Sequence, residues 1–367
     1  MRTTLCETLG IEHPIVGFTP SEHVAAAISR AGGLGVLGCV RFNDADDLDA
    51  VLDWMDHNTD DKPYGVDVVM PAKIPTEGTS IDLEQLIPPE HREFVQRTLT
   101  KLGVPELPAD ERHAEGVLGW LHSVARSHVD VALRHPVRLI ANALGSPPVD
   151  VIEQAHQHDV LVAALAGKAE HARRHVDNGV DIVVAQGHEA GGHTGEIATM
   201  VLVPEIVDAV GDRAPVLAAG GIGSGRQIAA ALALGASGVW MGSYWLTTSE
   251  YQQMPGNSAA QRALLAAGSS DTVRSRIYTG KPARLLRTRW TDSWAEPDAP
   301  EPLPMPLQNI LVSEAHQRIM RSGDPGVVSM PVGQIVGRMN EVRPVAEVLA
   351  NLLHELDETI ANLNKLN

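Results

Sequence analysis

The chain has 367 residues, 46 acidic against 29 basic side chains for a formal net charge of −17, and 44% hydrophobic residues with 33 glycines but only 4% aromatics. That length can bury a large core, either as one barrel with additions or as two domains, and the composition is that of an Ala/Val/Leu/Gly-rich α/β protein. Without a run of lysine or arginine to neutralise phosphates, nucleic acid and anionic membranes are excluded as expected partners, and the acidity is read as a solubility device.

The opening MRTTLCETLGIEHPIVGF has no long apolar stretch and no cleavage signature, and no 18-residue apolar run follows, so a soluble, cytoplasmic protein is expected. Cys6 and Cys39 form neither a disulfide framework nor a zinc spacing; they read as small core residues, and no metal site is expected. PIVGF (14–18) reads as a strand and SEHVAAAISRA (21–31) as a Ser-capped amphipathic helix. LGVLG (34–38) is the second strand, an Asp-rich helix follows at 44–57, and YGVDVVM (64–70) is the third strand. VRLIANAL (137–144), VLVAAL (160–165), VDIVVAQ (180–186), APVLAAG (214–220) and SGVWMG (237–242) complete eight strands, with helices near 148–158, 168–178, 202–211 and 224–234 between them.

Two segments interrupt this rhythm. Residues 71–115 are polar, Pro-punctuated and weakly helical, an insertion after the third strand and the candidate subunit contact of a homodimer. Residues 244–335 carry helices near 257–267 and 309–321 around a Pro-rich loop that ends 279–306. A last amphipathic helix spans 343–363. Near-continuous apolar strands predict a parallel sheet buried on both faces. Eight βα units over about 250 residues match the size of a closed (β/α)8 TIM barrel, with a doubly wound open sheet as its competitor. The expected organisation is thus a barrel over 1–243, a small helical lid domain inserted after the eighth strand over 244–335, and a C-terminal helix at 336–367 packing back on the barrel.

The chemistry concentrates at two glycine-rich loops. AAGGIGSGRQ (218–227) follows a strand and opens a helix near Ser224 or Gly225, where glycine lets the backbone approach an anion and a helix end supplies N–H donors. A Rossmann dinucleotide site is the rival reading. It is disfavoured because the loop lies late in the chain and the next strand ends in MGSYW (241–245) without an acidic residue for a ribose. Paired glycine loops after the last two strands are the usual phosphate grip of a barrel. GHEAGGHTG (187–195) places His193 among Gly191, Gly192 and Gly195, which leave its ring reachable from a ligand. Neutral imidazole can take a proton from an acidic carbon near neutral pH. His188 is a weaker candidate, and Glu189 is read as a residue that ties the loop down.

These residues resemble the nitronate monooxygenase family. Its EAGGHxG loop stands here as Glu189-Ala190-Gly191-Gly192-His193-Thr194-Gly195, and its LAAGGIxxGxxxAAALALGAxGVxMGT segment as residues 217–243, with Ser243 for the usual Thr. AGGLG (31–35), PYGVDVVMPAK (63–73) and TGKPARLLR (279–287) extend the likeness. Flavin-dependent enoyl-acyl carrier protein reductases share both loops, so the pair names a superfamily more securely than a reaction.

The resemblance implies FMN across the C-terminal mouth of the barrel, its phosphate meeting Gly220, Gly221, Gly242 and Ser243, with Gly192 close by and Gln186 near the flavin edge. It implies His193 as the base for an α-proton, and O2 and a small molecule as substrates: a nitronate oxidised to a carbonyl compound and nitrite. The alternative is a flavin reductase or oxygenase acting on an enoyl-CoA or acyl thioester.

The chain departs from the family at two points. The first strand ends Gly17-Phe18-Thr19-Pro20 where an apolar Met-Gly turn is usual, and Asp67 replaces the asparagine offered to the flavin. A carboxylate donates no hydrogen bond unless protonated, and its charge would disfavour an anionic reduced flavin. Lys281, Arg284, Arg287 and Arg289 read as helix-face charges paired with carboxylates, or as a grip on an anionic handle such as a CoA diphosphate. Trp290 and Trp294 read as lid packing.

Overall fold

A computed structural model describes residues 2–70, 83–108, 122–254 and 256–365. All eight predicted strands form: β1 (Ile15–Thr19), β2 (Leu34–Gly38), β3 (Tyr64–Val68), β4 (Leu139–Asn142), β5 (Leu161–Ala166), β6 (Ile182–Gln186), β8 (Val216–Ala219) and β9 (Gly238–Met241). They pair in parallel in that order, and β9 closes on β1 through Ile15↔Val239, Val16↔Trp240 and Gly17↔Met241. The closed barrel settles the choice against an open sheet.

Alternation along each strand sorts the core into two layers. Val16, Val36, Leu139, Ala141, Ile182, Val184, Leu217 and Trp240 fill the interior. Helix α1 (Thr4–Leu9), too short to show a periodicity in the sequence, adds Leu5, Cys6 and Leu9 to that interior cluster. The outward residues pack beneath the helices α2 (Glu22–Arg30), α3 (Ala45–Asn58), α5 (His122–Ala132), α6 (Val149–Gln157), α7 (Ala169–Asp177), α8 (Thr199–Val210) and α9 (Gly225–Ala233). Each fully buried aliphatic side chain contributes about 1.5–3 kcal/mol.

Local chemistry sets these helices. Ser21 caps α2 by accepting from the Val24 amide at 3.5 Å, Asp44 caps α3, and Ser224 caps α9. The final helix α13 (Val345–Asn364) lies against α9 so closely that a Cβ on Gly225 would fall 2.2 Å from the Leu356 nitrogen. On the opposite flank His135 sits between Asp56 (2.8 Å) and Asp49 (3.2 Å), fastening α3 to the turn before β4.

Beyond β9 the chain builds α10 (Ser258–Ala266), α11 (Arg289–Ser293) and α12 (Leu307–Arg321). To these helices the structure adds a hairpin not read from the sequence, β10 (Thr272–Ser275) and β11 (Ala283–Leu286). Of the predicted insertion, 71–82 and 109–115 lie outside the described residues. Its described part forms α4 (Pro89–Lys101), whose Phe94, Val95 and Leu99 join Trp290, Trp294, Val312 and Ala315 in one apolar cluster. The apolar face of α4 is therefore spent within the chain, with Phe94 edge-on to Trp294 at 4.8 Å.

Candidate active site

All eight residues singled out from the sequence stand at the C-terminal ends of barrel strands or in the loops just beyond them. His193 and Gly192 form a two-residue strand, β7 (Gly192–His193), which pairs antiparallel with β11 through Ala283↔His193 and Arg284↔Gly192. The histidine loop thus supplies the third strand of the β10–β11 sheet, held from both the barrel and the segment beyond β9.

His193 Nε2 lies 2.6 Å from the hydroxyl of Thr279, a wholly buried residue of the β10–β11 connection. Desolvation, followed by the charge of Lys281, lowers the ring pKa to about 4. The imidazole is therefore neutral across the physiological range, the state a base or a neutral hydrogen-bond partner requires.

The glycines act mainly by permitting close approach. A Cβ on Gly191 would lie 2.7 Å from the backbone of Val332, and one on Gly195 would lie 3.2 Å from the Gly167 carbonyl. Gly192, Gly220 and Gly221 occupy the left-handed region at φ +75°, +99° and +69°. Gly220 backs onto the histidine loop: its Cβ would fall 3.1 Å from the Gly187 carbonyl and 3.2 Å from the Ala190 nitrogen. The two glycine loops thus form one continuous rim.

Glu189 joins that rim to helix α8, accepting from the Thr199 amide at 2.9 Å and lying 2.8 Å from the Thr199 hydroxyl. Ser243 Oγ accepts from the Gly333 amide at 2.8 Å, and Gln334 N donates to the Glu189 carbonyl at 2.9 Å. His188 stands half-buried, 3.5 Å from Glu189, and its carbonyl accepts from Arg284 Nε at 3.0 Å.

Asp67 and Gln186 point inward. Val66 and Val68 pack outward against α3 and α5, so Asp67 between them faces the barrel interior. It is 3% exposed, and its carboxyl has no hydrogen-bond partner among the described residues. Burial raises its pKa well above the usual carboxylate range. Gln186 follows the inward Ile182 and Val184 by the same alternation. Phe18 stacks on the interior Trp240 with ring centroids 6.3 Å apart.

Part of the donor set before and at the start of α9 is used within the chain: Gly223 N donates to Gln227 Oε1 at 3.0 Å, and Gly225 N donates to Glu355 at 2.9 Å. The basic run of the lid lies largely off helices, and most of it is engaged. Arg284 is buried in β11 and bonds the His188 carbonyl and Thr272, while Arg287 pairs with Asp292 and Arg289 with Asp324. Lys281 remains exposed beside His193. Cys6 and Cys39 are buried and free, and burial pushes the Cys39 thiol up.

Two cavities of 560 and 400 Å3, the first lined by Arg274, Arg276 and Trp294 and the second between α4 and α12, are lined by none of the predicted cofactor residues. Sequence reasoning missed Thr279, Thr199 and Gly333. Thr279 opens the quoted TGKPARLLR stretch, but its contact with His193 spans 86 residues and leaves no trace in local spacing.

Comparison with known proteins places this geometry. The nitronate monooxygenase family model matches residues 2–355. The Mycobacterium tuberculosis protein named "Putative monooxygenase Rv1533" is 52% identical over 379 residues, covering 100% of this chain and 99% of its own. A Staphylococcus aureus "Probable nitronate monooxygenase" is 27% identical over 375 residues, covering 97% and 98%. Among solved structures, nitroalkane oxidase from Streptomyces ansochromogenes superposes with a TM-score of 0.80 at 27% identity, over 98% of this chain and 100% of that one. FabK from Thermotoga maritima superposes with a TM-score of 0.75 at 28% identity, over 100% of both.

Proposed function

The chain belongs to the nitronate monooxygenase family and is a flavin-dependent oxidoreductase, and on that premise we propose that it oxidises alkyl nitronates with O2 to a carbonyl compound and nitrite, using FMN. The observation that carries this reading is the neutral, partly shielded imidazole of His193 on a rim of left-handed glycines at the barrel mouth. When bound, FMN supplies the electron chemistry, taking electrons from the substrate and passing them to O2.

The residues present suit that group. Gly192, Gly220, Gly221, Gly242 and Ser243 would hold its phosphate end through backbone N–H groups. Asp67 and Gln186, inward polar side chains without side-chain partners among the described residues, would face its ring system. Burial raises the Asp67 pKa well above the usual carboxylate range, and in its protonated form it would donate where an ionised carboxylate could not. His193 would remove the α-proton of a neutral nitroalkane, or stand as the electrostatic partner of a nitronate that arrives already deprotonated.

A second reading, turnover of an enoyl-CoA or acyl thioester, draws on the likeness to FabK. Consumption of NAD(P)H separates the two, because nitronate oxidation needs none. The test is an absorbance spectrum of the purified protein, followed by anaerobic addition of ethyl nitronate in the same cuvette. Flavin bands that bleach with nitronate support the proposal. Bands that ignore nitronate but bleach with NAD(P)H favour the thioester, and no flavin after reconstitution with FMN overturns both.

A further inference from the structure

We infer that Lys281 is the cation that draws an anionic substrate to the barrel mouth and so selects a nitronate over its neutral nitroalkane. The inference rests on the reading of the site as one that takes nitronates. Its basis is the placement of an ammonium group without a counter-ion, beside the histidine loop of a chain whose net charge is −17.

Backbone geometry ties Lys281 to that loop. Two residues before it, the Thr279 hydroxyl lies 2.6 Å from His193 Nε2, and two residues after it, Ala283 pairs with His193 across β11 and β7. The turn between them is closed on itself: Gly280 N donates to Arg276 O at 2.8 Å, and Arg276 Nε donates to Gly280 O at 3.0 Å. Gly280, at φ +90°, is wedged so that a Cβ would fall 2.4 Å from both Leu303 O and Met305 N. The base of the lysine is thus fixed, while the residue itself stays exposed. Its charge reaches His193, where it is the second cause of the lowered pKa after desolvation.

Lys281 differs from the cations around it in having no partner. Lys62 pairs with Glu12 at 2.8 Å and Lys101 with Glu296 at 2.9 Å. Beyond β9, Arg274 donates to the Thr194 carbonyl at 3.0 Å, Arg284 to the His188 carbonyl at 3.0 Å, and Arg287 pairs with Asp292 at 2.8 Å. The Lys281 side chain makes no hydrogen bond or ion pair among the described residues. Burial lowers its pKa with no carboxylate acting against it, whereas Glu12 raises that of Lys62. A partly desolvated charge that no counter-ion cancels keeps its field for a ligand.

The consequence is selection by charge. An acidic surface repels an anion, and a local cation at a site mouth reverses that by concentrating the anion there. A nitronate gains this attraction, and a neutral nitroalkane does not. Because the attraction serves bound substrate and transition state alike, its loss should fall on KM more than on kcat.

The experiment uses FMN-loaded protein and nitrate, a planar anion shaped like the nitronate head and already fully oxidised. Nitrate is titrated at constant ionic strength and followed by the flavin difference spectrum. Lys281→Gln should weaken nitrate binding on the order of tenfold, and Lys281→Arg should keep it. Arg287→Gln makes the same change in net charge at a residue paired with Asp292, and should match the parent. For ethyl nitronate, kcat/KM of the parent should fall as salt rises and that of Lys281→Gln should fall less, while nitroethane shows no such difference. Nitrate that fails to bind the parent, an affinity unmoved by Lys281→Gln, or one lowered equally by Arg287→Gln overturns the inference. If nitrate behaves as expected but the parent does not react with ethyl nitronate, the anion site at Lys281 stands and the nitronate reading falls.

Discussion

Glu189 and Thr199 form a clasp within the β6–α8 connection: the carboxylate accepts from the Thr199 amide at 2.9 Å and lies 2.8 Å from the Thr199 hydroxyl. The same hydroxyl stands 3.0 Å from the Gly220 carbonyl. One side chain of the histidine loop thereby caps α8, as no side chain of the preceding residue Ala198 can, and braces the second glycine loop. Glu189→Ala removes a cap, and a loss of about 1 kcal/mol in unfolding free energy is expected. Glu189→Gln keeps an acceptor and should lose less. Chemical denaturation of the three proteins checks the order, and FMN affinity should fall in the same order because the rim loosens with the cap.

Acid should act on both stability and activity. His175, His193 and His316 each have a pKa lowered to about 4, with desolvation the first cause in all three. Their unfolded value is 6.5, so between about pH 6.5 and 4 the unfolded chain binds more protons than the folded one. Stability is complete above that window and declines as pH falls through it, which thermal unfolding at stepped pH will measure. Lys281 is the second cause of the shift at His193. Lys281→Gln should therefore move the acid limb of the turnover profile toward higher pH and leave the neutral plateau flat. An acid limb that stays in place would show that His193 does not govern it.

Asp67 makes the cofactor itself pH-sensitive. Burial raises its pKa, so the folded chain holds the protonated acid at pH values where the unfolded chain is ionised. That arrangement is comfortable at low pH and becomes costly as pH rises toward the folded pKa. The protonated acid can donate to a flavin oxygen or nitrogen, and the carboxylate cannot. Cys39, the titratable group that reaches it, is itself kept neutral by burial. FMN affinity of the parent should therefore weaken as pH rises, while Asp67→Asn, always a donor, stays level. Quenching of flavin fluorescence at each pH gives both curves, and parallel curves would remove Asp67 from the cofactor's surroundings.

The barrel was legible because its strands are near-continuous apolar runs bounded by glycine, and because Ser21, Asp44 and Ser224 mark three helix starts. His193 stood out in the sequence because glycines cluster around it. What the sequence concealed is the joining of lid and barrel. β7 has two residues and β10 alternates Thr, Val, Arg and Ser, so neither carries an apolar signal. β7 finds its partner β11 some ninety residues away, and the contact of His193 with Thr279 spans 86 residues. The use of the Gly225 donor at the start of α9 was hidden for a related reason: Glu355, which accepts from it, is 130 residues distant.

That joining can be tested at one glycine. A Cβ on Gly191 would lie 2.7 Å from Val332 Cα and C and 2.8 Å from the Gly333 nitrogen, all of them backbone atoms without a rotamer to yield. The segment it would displace carries Gly333 N to Ser243 Oγ, Gln334 N to the Glu189 carbonyl, and the bridge of Pro331 to Leu285 beside Arg284. Gly192 is the control. Its left-handed φ of +75° strains an alanine, but the nearest atom to a Cβ is 3.9 Å away. Overpacking at Gly191 should cost about 1–3 kcal/mol, and strain at Gly192 a similar amount, so stability alone will not distinguish them. Lid docking will: Gly191→Ala should open the 331–334 segment to hydrogen exchange and weaken FMN binding, whereas Gly192→Ala should leave that segment protected. Equal protection in both variants would mean that Gly191 is needed for its own turn and not for the approach of the lid.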